Sequence, residues 1–458
     1  MLSAELSLLV NKSDELPALL HRVLRRYRVP GAQLCVYTSA GNASAVAGTA
    51  RSGTSEEITA ESRFPTGSIG KPFLATIALA LVDDGDIGLD EPIGEHLTDW
   101  APAPAALVGR LTLRQLLSHT SGLPSGFDER ADNATSVRRY LSDNAHRLAL
   151  VCRPGTGFSY SNLGYLLIAR LIESITGLAW SEAVESILLR PLGIDPAFVI
   201  GLGPGRQAGP VVAGHTVSGG RACPVRQTVT PAMAPAGALA LSATDLVTFG
   251  RSLLTDPADA TAPLRGPLTA ATRELMRRPV PGAEPFGLAD GWGLGLAVFT
   301  GGNTEWIGHD GTADGTSCHF RVEPRSGTVV AFTSNANTGA DAWAGVVAEL
   351  RASGLPIGNY ANRTSLDDHL PLSPSCFGSY VNGDTEYAVD VHDGRPCVRV
   401  AGEVFAELRL HEQWSFSVRD PVSGQRIPAG RFMNNPNTGL VSGLQTGGRI
   451  ARRRESVA

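Results

Sequence analysis

Lysine is almost missing from this chain of 458 residues: Lys12 and Lys71 are the only two, so 37 of the 39 Lys+Arg residues are arginine. A lysine that persists against such a bias marks a position where arginine does not serve. Arginine keeps its proton at any ordinary pH, whereas a lysine taken out of water can lose it. Lys71 follows a serine by three residues, where a base would be needed; Lys12, near the N-terminus, reads as solvated. Long apolar runs are absent too. No stretch reaches the roughly 18 residues of a membrane helix. Near the start, Leu6, Leu8, Leu9 and Val10 give way at once to Asn11, Lys12, Ser13, Asp14 and Glu15, too short and too polar for a secretory signal. The expectation is a cytoplasmic protein with no membrane partner. A net charge of -5 leaves no basic footprint for nucleic acid. The six cysteines form no CxxC pair, and no HExxH or clustered Cys/His spacing occurs, so free, mostly buried thiols and no metal or cofactor are expected. With 43% hydrophobic and 18% charged residues the chain is a folding one.

Ser13 is a candidate cap for a helix carrying Leu16, Leu19, Leu20, Val23, Leu24 and Tyr27 on one face, stopped by Pro30-Gly31. Strands Leu34 to Tyr37 and Ala43 to Val46 follow, around a turn at Gly41-Asn42. Residues 68 to 84 predict a buried helix, with further helices at Leu113 to Leu117, Tyr165 to Ile175 and Trp180 to Leu189. The Gly/Pro-rich segment 201–232 reads as a long loop. From Trp292 the pattern turns to strands: Leu294 to Phe299, Thr316 to Val322 and Thr328 to Thr333, then a closing helix over Ala340 to Leu350. The organisation expected is a catalytic domain over 1–355, a linker over 356–374 and a small β-domain over 375–458. The last shows six short runs about ten residues apart, as in an antiparallel barrel or sandwich.

Three short segments carry chemistry. A serine hydroxyl attacks only when a base takes its proton. In Thr66-Gly67-Ser68-Ile69-Gly70-Lys71, Ser68 and Lys71 share one helical face at i and i+3. A helix start also favours developing negative charge. Ser-x-x-Lys alone arises by chance in many long chains. The second segment is Tyr160-Ser161-Asn162: a tyrosine near an ammonium ionises more easily and can shuttle protons, and Asn162 can fix the lysine or hold a substrate amide. Taken alone it is equally a turn tyrosine with a helix cap. The third is Gly308-His309-Asp310-Gly311-Thr312, read as a polar segment ahead of a strand near Thr316. Its edge would offer a backbone N–H at Thr312 to pair with that of Ser68 in an oxyanion hole, with His309 orienting Tyr160 or substrate. Asp310, Gly311 and Trp306 are the candidate substrate contacts. Trp292 and Trp306 flank the segment and would line a pocket or pack in the core.

Together and in this order, the three segments resemble the penicillin-binding-protein and class C β-lactamase superfamily, whose motifs are Ser-x-x-Lys, Tyr-x-Asn and Lys/His-Thr-Gly. Leu116-Leu117-Ser118-His119-Thr120-Ser121-Gly122 and Pro235-Ala236-Gly237-Ala238-Leu239 agree with it. The resemblance covers residues 15 to 350. It implies an α/β, β-lactamase-like fold: a mixed antiparallel sheet flanked by helices plus an all-helical subdomain, here followed by the small lipocalin-like β-barrel or sandwich domain. The departure is Asp310 in place of a hydroxyl residue, a like charge that argues against a substrate carboxylate and so against penicillin.

A cytoplasmic member with a C-terminal β-domain most resembles the penicillin-binding-protein-type thioesterases of nonribosomal peptide assembly. That resemblance implies a peptidyl thioester on a carrier protein as partner, a Ser68 acyl-enzyme, and head-to-tail closure helped by Tyr160 and Lys71. It also implies a D-residue at the peptide C-terminus. The alternative is an esterase or D-aminopeptidase-like serine hydrolase acting on a small ester or peptide. A non-catalytic sensor is disfavoured by the intact Ser68, Lys71, Tyr160 and Asn162. His119, His215 and His319 read as structural, and the tail Arg449 to Arg454 as a solvated basic end or a contact for an acidic carrier.

Overall fold

The computed structural model describes residues 15–97, 105–127, 135–195, 197–200, 211–227, 229–254, 266–362, 364–420, 424–435 and 438–454. Lys12, the Ser13 cap and part of segment 201–232 lie outside them.

Helix α1 (Glu15–Tyr27) buries Leu16, Leu19, Leu20, Val23 and Leu24, the stripe its sequence displays. Strands β1 (Gly31–Thr38) and β2 (Gly41–Gly48) pair with Thr38 opposite Gly41. The turn is therefore at Ser39-Ala40, two residues before the expected Gly41-Asn42, which open the second strand. Five strands complete the sheet: β3 (Gly291–Trp292), β4 (Ala297–Gly301), β5 (Thr304–Ala313), β6 (Thr316–Glu323) and β7 (Thr328–Ser334). The order is β2-β1-β7-β6-β5-β4-β3, antiparallel throughout. Helix α1 and the closing helix α4 (Gly339–Ala352) bury apolar faces in one layer of core with Leu34, Phe299 and Phe332.

The other layer holds α2 (Gly70–Asp83), buried from Gly70 to Leu81, and α3 (Asn162–Thr176), packed together in the larger core cluster. Burial on all sides explains why α2 lacks a polar face, whereas α3 keeps Arg170, Glu173 and Ser174 on its less buried side. Among the described residues no single helix is long and apolar enough to cross a membrane.

Three elements differ from expectation. Segment 201–232 contains a hairpin, His215–Ser218 with Arg221–Pro224. The helix from Trp180 changes to a π-helical turn over Val184–Leu189. The third motif lies within the ten-residue strand β5, not ahead of one. Its glycines and charges hide the period-2 pattern that marks a strand.

Beyond an irregular stretch, eight strands close an antiparallel barrel: β8 (Gly378–Asn382), β9 (Thr385–His392), β10 (Arg395–Val400), β11 (Glu403–Leu410), β12 (Ser415–Arg419), β13 (Arg426–Asn434), β14 (Val441–Thr446) and β15 (Arg449–Arg453). The tail expected to be solvated is the closing strand, pairing Arg453 with Tyr380. Arg453 donates to the Phe377 carbonyl at 2.7 Å. The cysteines among the described residues are all free, with Cys35, Cys318, Cys376 and Cys397 buried.

Candidate active site

Ser68 sits in a single 3-10 turn, Gly67–Ile69, that feeds directly into α2. Gly67 has φ +53°, and a Cβ there would lie 2.1 Å from the Thr312 carbonyl oxygen. A Cβ on Gly311 would lie 2.0 Å from the Thr66 carbonyl oxygen. Glycine at both positions lets the nucleophile turn lie flat against β5, so Ser68 and Thr312 line one pocket of about 220 Å³. This is the pair expected to supply the oxyanion N–H groups. The turn is held from below, where Thr66 Oγ1 donates to the Leu239 carbonyl at 2.6 Å and Thr316 Oγ1 to Pro65 at 2.6 Å.

The Lys71 Nζ lies 3.0 Å from Ser68 Oγ and 2.9 Å from the Ala236 carbonyl oxygen, with no exposed surface. Burial, reinforced by the Arg449 charge, holds its pKa well below the ordinary lysine value. The Tyr160 ring lies 5.2 Å from Nζ, and its hydroxyl faces Ser68 but has no hydrogen-bond partner among the described residues. Burial pushes the phenol up to about 12, outweighing Ser68 and Arg449. Tyr160 is thus protonated at neutral pH, and the tyrosinate expected from a nearby ammonium does not form. Burial thus eases loss of the Lys71 proton and hinders loss of the Tyr160 proton.

Strand alternation divides the third motif. His309 turns towards Tyr160, ring centroids 6.3 Å apart, and lines the pocket. Its Nδ1 donates to the Asp310 carbonyl at 2.6 Å, and burial, then the Lys71 charge, hold it down to about 3. It is neutral, with an Nε2 lone pair that has no partner among the described residues. Asp310 takes the opposite face. Its carboxylate accepts from Arg321 at 2.7 and 3.0 Å and from His319 Nδ1 at 2.7 Å. Burial alone would raise this acid; Arg321 and His319 reverse that and hold it far below the usual range. Its charge is offset by Arg321 and His319, which braces β5 against β6, while the carboxylate side chain, 39% exposed, still borders the pocket where a substrate contact is expected.

Trp306 departs from expectation, and the lysine contact expected of Asn162 is not made. Trp306, an odd step from His309, faces the core, 1% exposed, with its Nε1 donating to Thr304 Oγ1 at 3.0 Å. Trp292 lines the pocket instead, with Leu288 and Phe299. Asn162 is the first residue of α3, its backbone N–H donating to the Ser125 carbonyl at 3.0 Å. The hydrogen bonds of Lys71 among the described residues go to Ser68 and Ala236, not to Asn162. The helix cap is Ser161, whose Oγ accepts from the Gly164 N–H. His215 is structural as expected, its Nε2 accepting from Ser52 N–H at 2.9 Å.

Arg449, read as part of the solvated tail, lines the pocket. Its guanidinium lies 5.0 Å from the Tyr160 ring centroid and donates to Ser125 Oγ at 3.1 Å, with no carboxylate partner among the described residues. The barrel delivers it through the turn at Gly447-Gly448, whose Gly448 carbonyl accepts the Tyr160 N–H at 2.8 Å. A larger cleft of about 760 Å³ opens beside Tyr360, His411 and Arg431 but holds none of the motif residues.

With serine, lysine, tyrosine and histidine converging on one pocket, residues 16–351 also match the β-lactamase family. The chain belongs to that family. Penicillin-binding protein 4 of Amycolatopsis lactamdurans is 31% identical over 317 residues, 68% of this chain and 81% of that protein. The unguisins hydrolase ungD' of Aspergillus campestris is 24% identical over 69% of this chain and 60% of its own. Among solved structures, SurE aligns over 96% of this chain and 99% of its own at 37% identity and a TM-score of 0.83, barrel included. A D-stereospecific amidohydrolase from Streptomyces sp. covers 73% of this chain and 99% of its own at 27% identity and a TM-score of 0.57. Within the β-lactamase family, then, this chain adds a barrel that contributes an arginine to the pocket.

Proposed function

We propose that this protein releases a peptide from a carrier-protein thioester and closes it head to tail through an ester on Ser68. Lys71 takes the Ser68 proton as Oγ attacks the thioester carbonyl; the backbone N–H groups of Ser68 and Thr312 hold the oxyanion, and the thiolate leaves with the proton. The peptide's own amine then attacks the ester. Tyr160 and Lys71 pass its proton to Oγ, restoring the serine and leaving the amide. Shielding the ester from water favours an amine acceptor already tethered to the acyl chain.

The observation that carries this reading is the full-length likeness to SurE, barrel included, a protein also solved with D-Leu. The fully buried base and the apolar wall of Leu288, Trp292, Ala297 and Phe299 agree with it. A D-residue at the acyl end is proposed on the same ground. Hydrolysis is the second reading, favoured by the names of the fungal hydrolase and the Streptomyces amidohydrolase.

A peptidyl thioester mimic ending in a D-residue is expected to give cyclic product, separated by mass from the linear acid one water heavier. Linear acid alone, together with rapid cleavage of short-chain esters, would sink the cyclase reading and leave the hydrolase.

A further inference from the structure

His119 stands where a helix stops. The short helix Leu113–Leu117 ends at Ser118, and His119 takes φ +56°. That left-handed position after a helix C-terminus is the usual place of glycine, and a residue with a side chain there is strained. The imidazole is 1% exposed and makes no ion pair among the described residues. Something must offset the cost of placing it there.

Its hydrogen bonds flank Tyr160, while its ring also packs against Phe158, Tyr165 and Trp292. The His119 carbonyl accepts the Ser159 N–H at 2.9 Å, and its Nδ1 accepts the Ser161 N–H at 3.1 Å. The ring lies against Tyr160, centroids 4.3 Å apart and tilted by 32°. With Gly448 taking the Tyr160 N–H, the three successive N–H groups from 159 to 161 are all held, two of them by His119. The left-handed backbone is what lets one residue present its carbonyl to one side of Tyr160 and its ring nitrogen to the other. Because Nδ1 accepts, the proton sits on Nε2 and the ring is neutral. Burial first, then the positive surroundings that include Lys71 and Arg449, lowers its pKa well below the ordinary histidine value.

We infer that His119 is a positioning residue, clamping the backbone on both sides of Tyr160 so that the phenol hydroxyl is aimed at Ser68. It touches no reacting atom. Its effect is on kcat and not on substrate binding, because the geometry it fixes matters when a proton moves.

The test measures total release, cyclic plus linear, from the peptidyl thioester mimic, so it does not depend on the acceptor. His119→Phe keeps an aromatic ring and drops the acceptor; kcat is expected to fall 30- to 100-fold with KM within about threefold. His119→Asn tolerates the left-handed backbone and offers Oδ1 in place of Nδ1, and should recover kcat to within about fivefold of the parent. In a Tyr160→Phe background, His119→Phe should cost no more than about threefold further, since the hydroxyl it aims is gone. Should His119→Phe not fold, His119→Gly, at ease at this φ, carries the same expectations. Full activity of His119→Phe, no rescue by asparagine in a protein melting at the parental temperature, or an undiminished loss in the Tyr160→Phe background each overturns the assignment.

Discussion

Lys71→Arg is expected to cut turnover by about 10⁴-fold, the upper range for removing a general base. The positive charge and the long aliphatic stem survive the change; the ability to give up a proton does not. Lys71 supplies that ability because it is wholly buried and its ammonium is destabilised by desolvation and by Arg449. The sign of the pH dependence follows. A base with a lowered pKa is active above that pKa, so parental kcat/KM should rise with pH through a value well under that of free lysine. A lysine at its ordinary pKa would place the rise near pH 10. Substituting Arg449 by methionine should move the rise upward, since one of the two causes is removed. Guanidinium is larger than ammonium, so Lys71→Met serves as the folded control and should lose activity to a similar degree. Arginine retaining even a tenth of the parental rate would mean the base is elsewhere.

Tyr160→Phe is expected to lower kcat by 10²- to 10³-fold with little change in melting temperature. The removed hydroxyl has no hydrogen-bond partner among the described residues, while the ring, packed on His119 and Trp292, stays. A stopped-flow measurement divides the loss between acylation and release. Because the phenol is held at about 12, it acts as a neutral relay, and no alkaline activation tracking its ionisation should appear below that pH. An activity within threefold of the parent would remove Tyr160 from the chemistry.

What the sequence displays and what it hides follow from how local each feature is. Ser68 and Lys71 are three residues apart, so one turn fixes their relation. The paucity of lysine pointed to the same residue that burial isolates. Helix α1, the sheet strands with regular alternation and six barrel strands were legible for the same reason. Strand β5 was not, because Gly311 is there to admit the nucleophile turn and Asp310 to meet Arg321 across the β5–β6 pair, and neither looks like a strand residue. Asn162 matches a motif position, and its backbone also opens α3. Arg449 was invisible: it reaches Tyr160 only because the chain closes an eight-stranded barrel, and nothing near it in sequence announces that. His119 reads as a core histidine until its left-handed backbone is seen.

The claim on which the rest depends is that Ser68 carries the acyl group. Incubating the protein with an active-site acylating agent and mapping the adduct by mass spectrometry should place one modification on the peptide containing Ser68, absent from Ser68→Ala. Burial holds the Cys35, Cys152 and Cys318 thiols up at about 11 to 12, so they offer little thiolate to compete. A stable adduct on a cysteine, or undiminished turnover by Ser68→Ala, would contradict a serine mechanism outright.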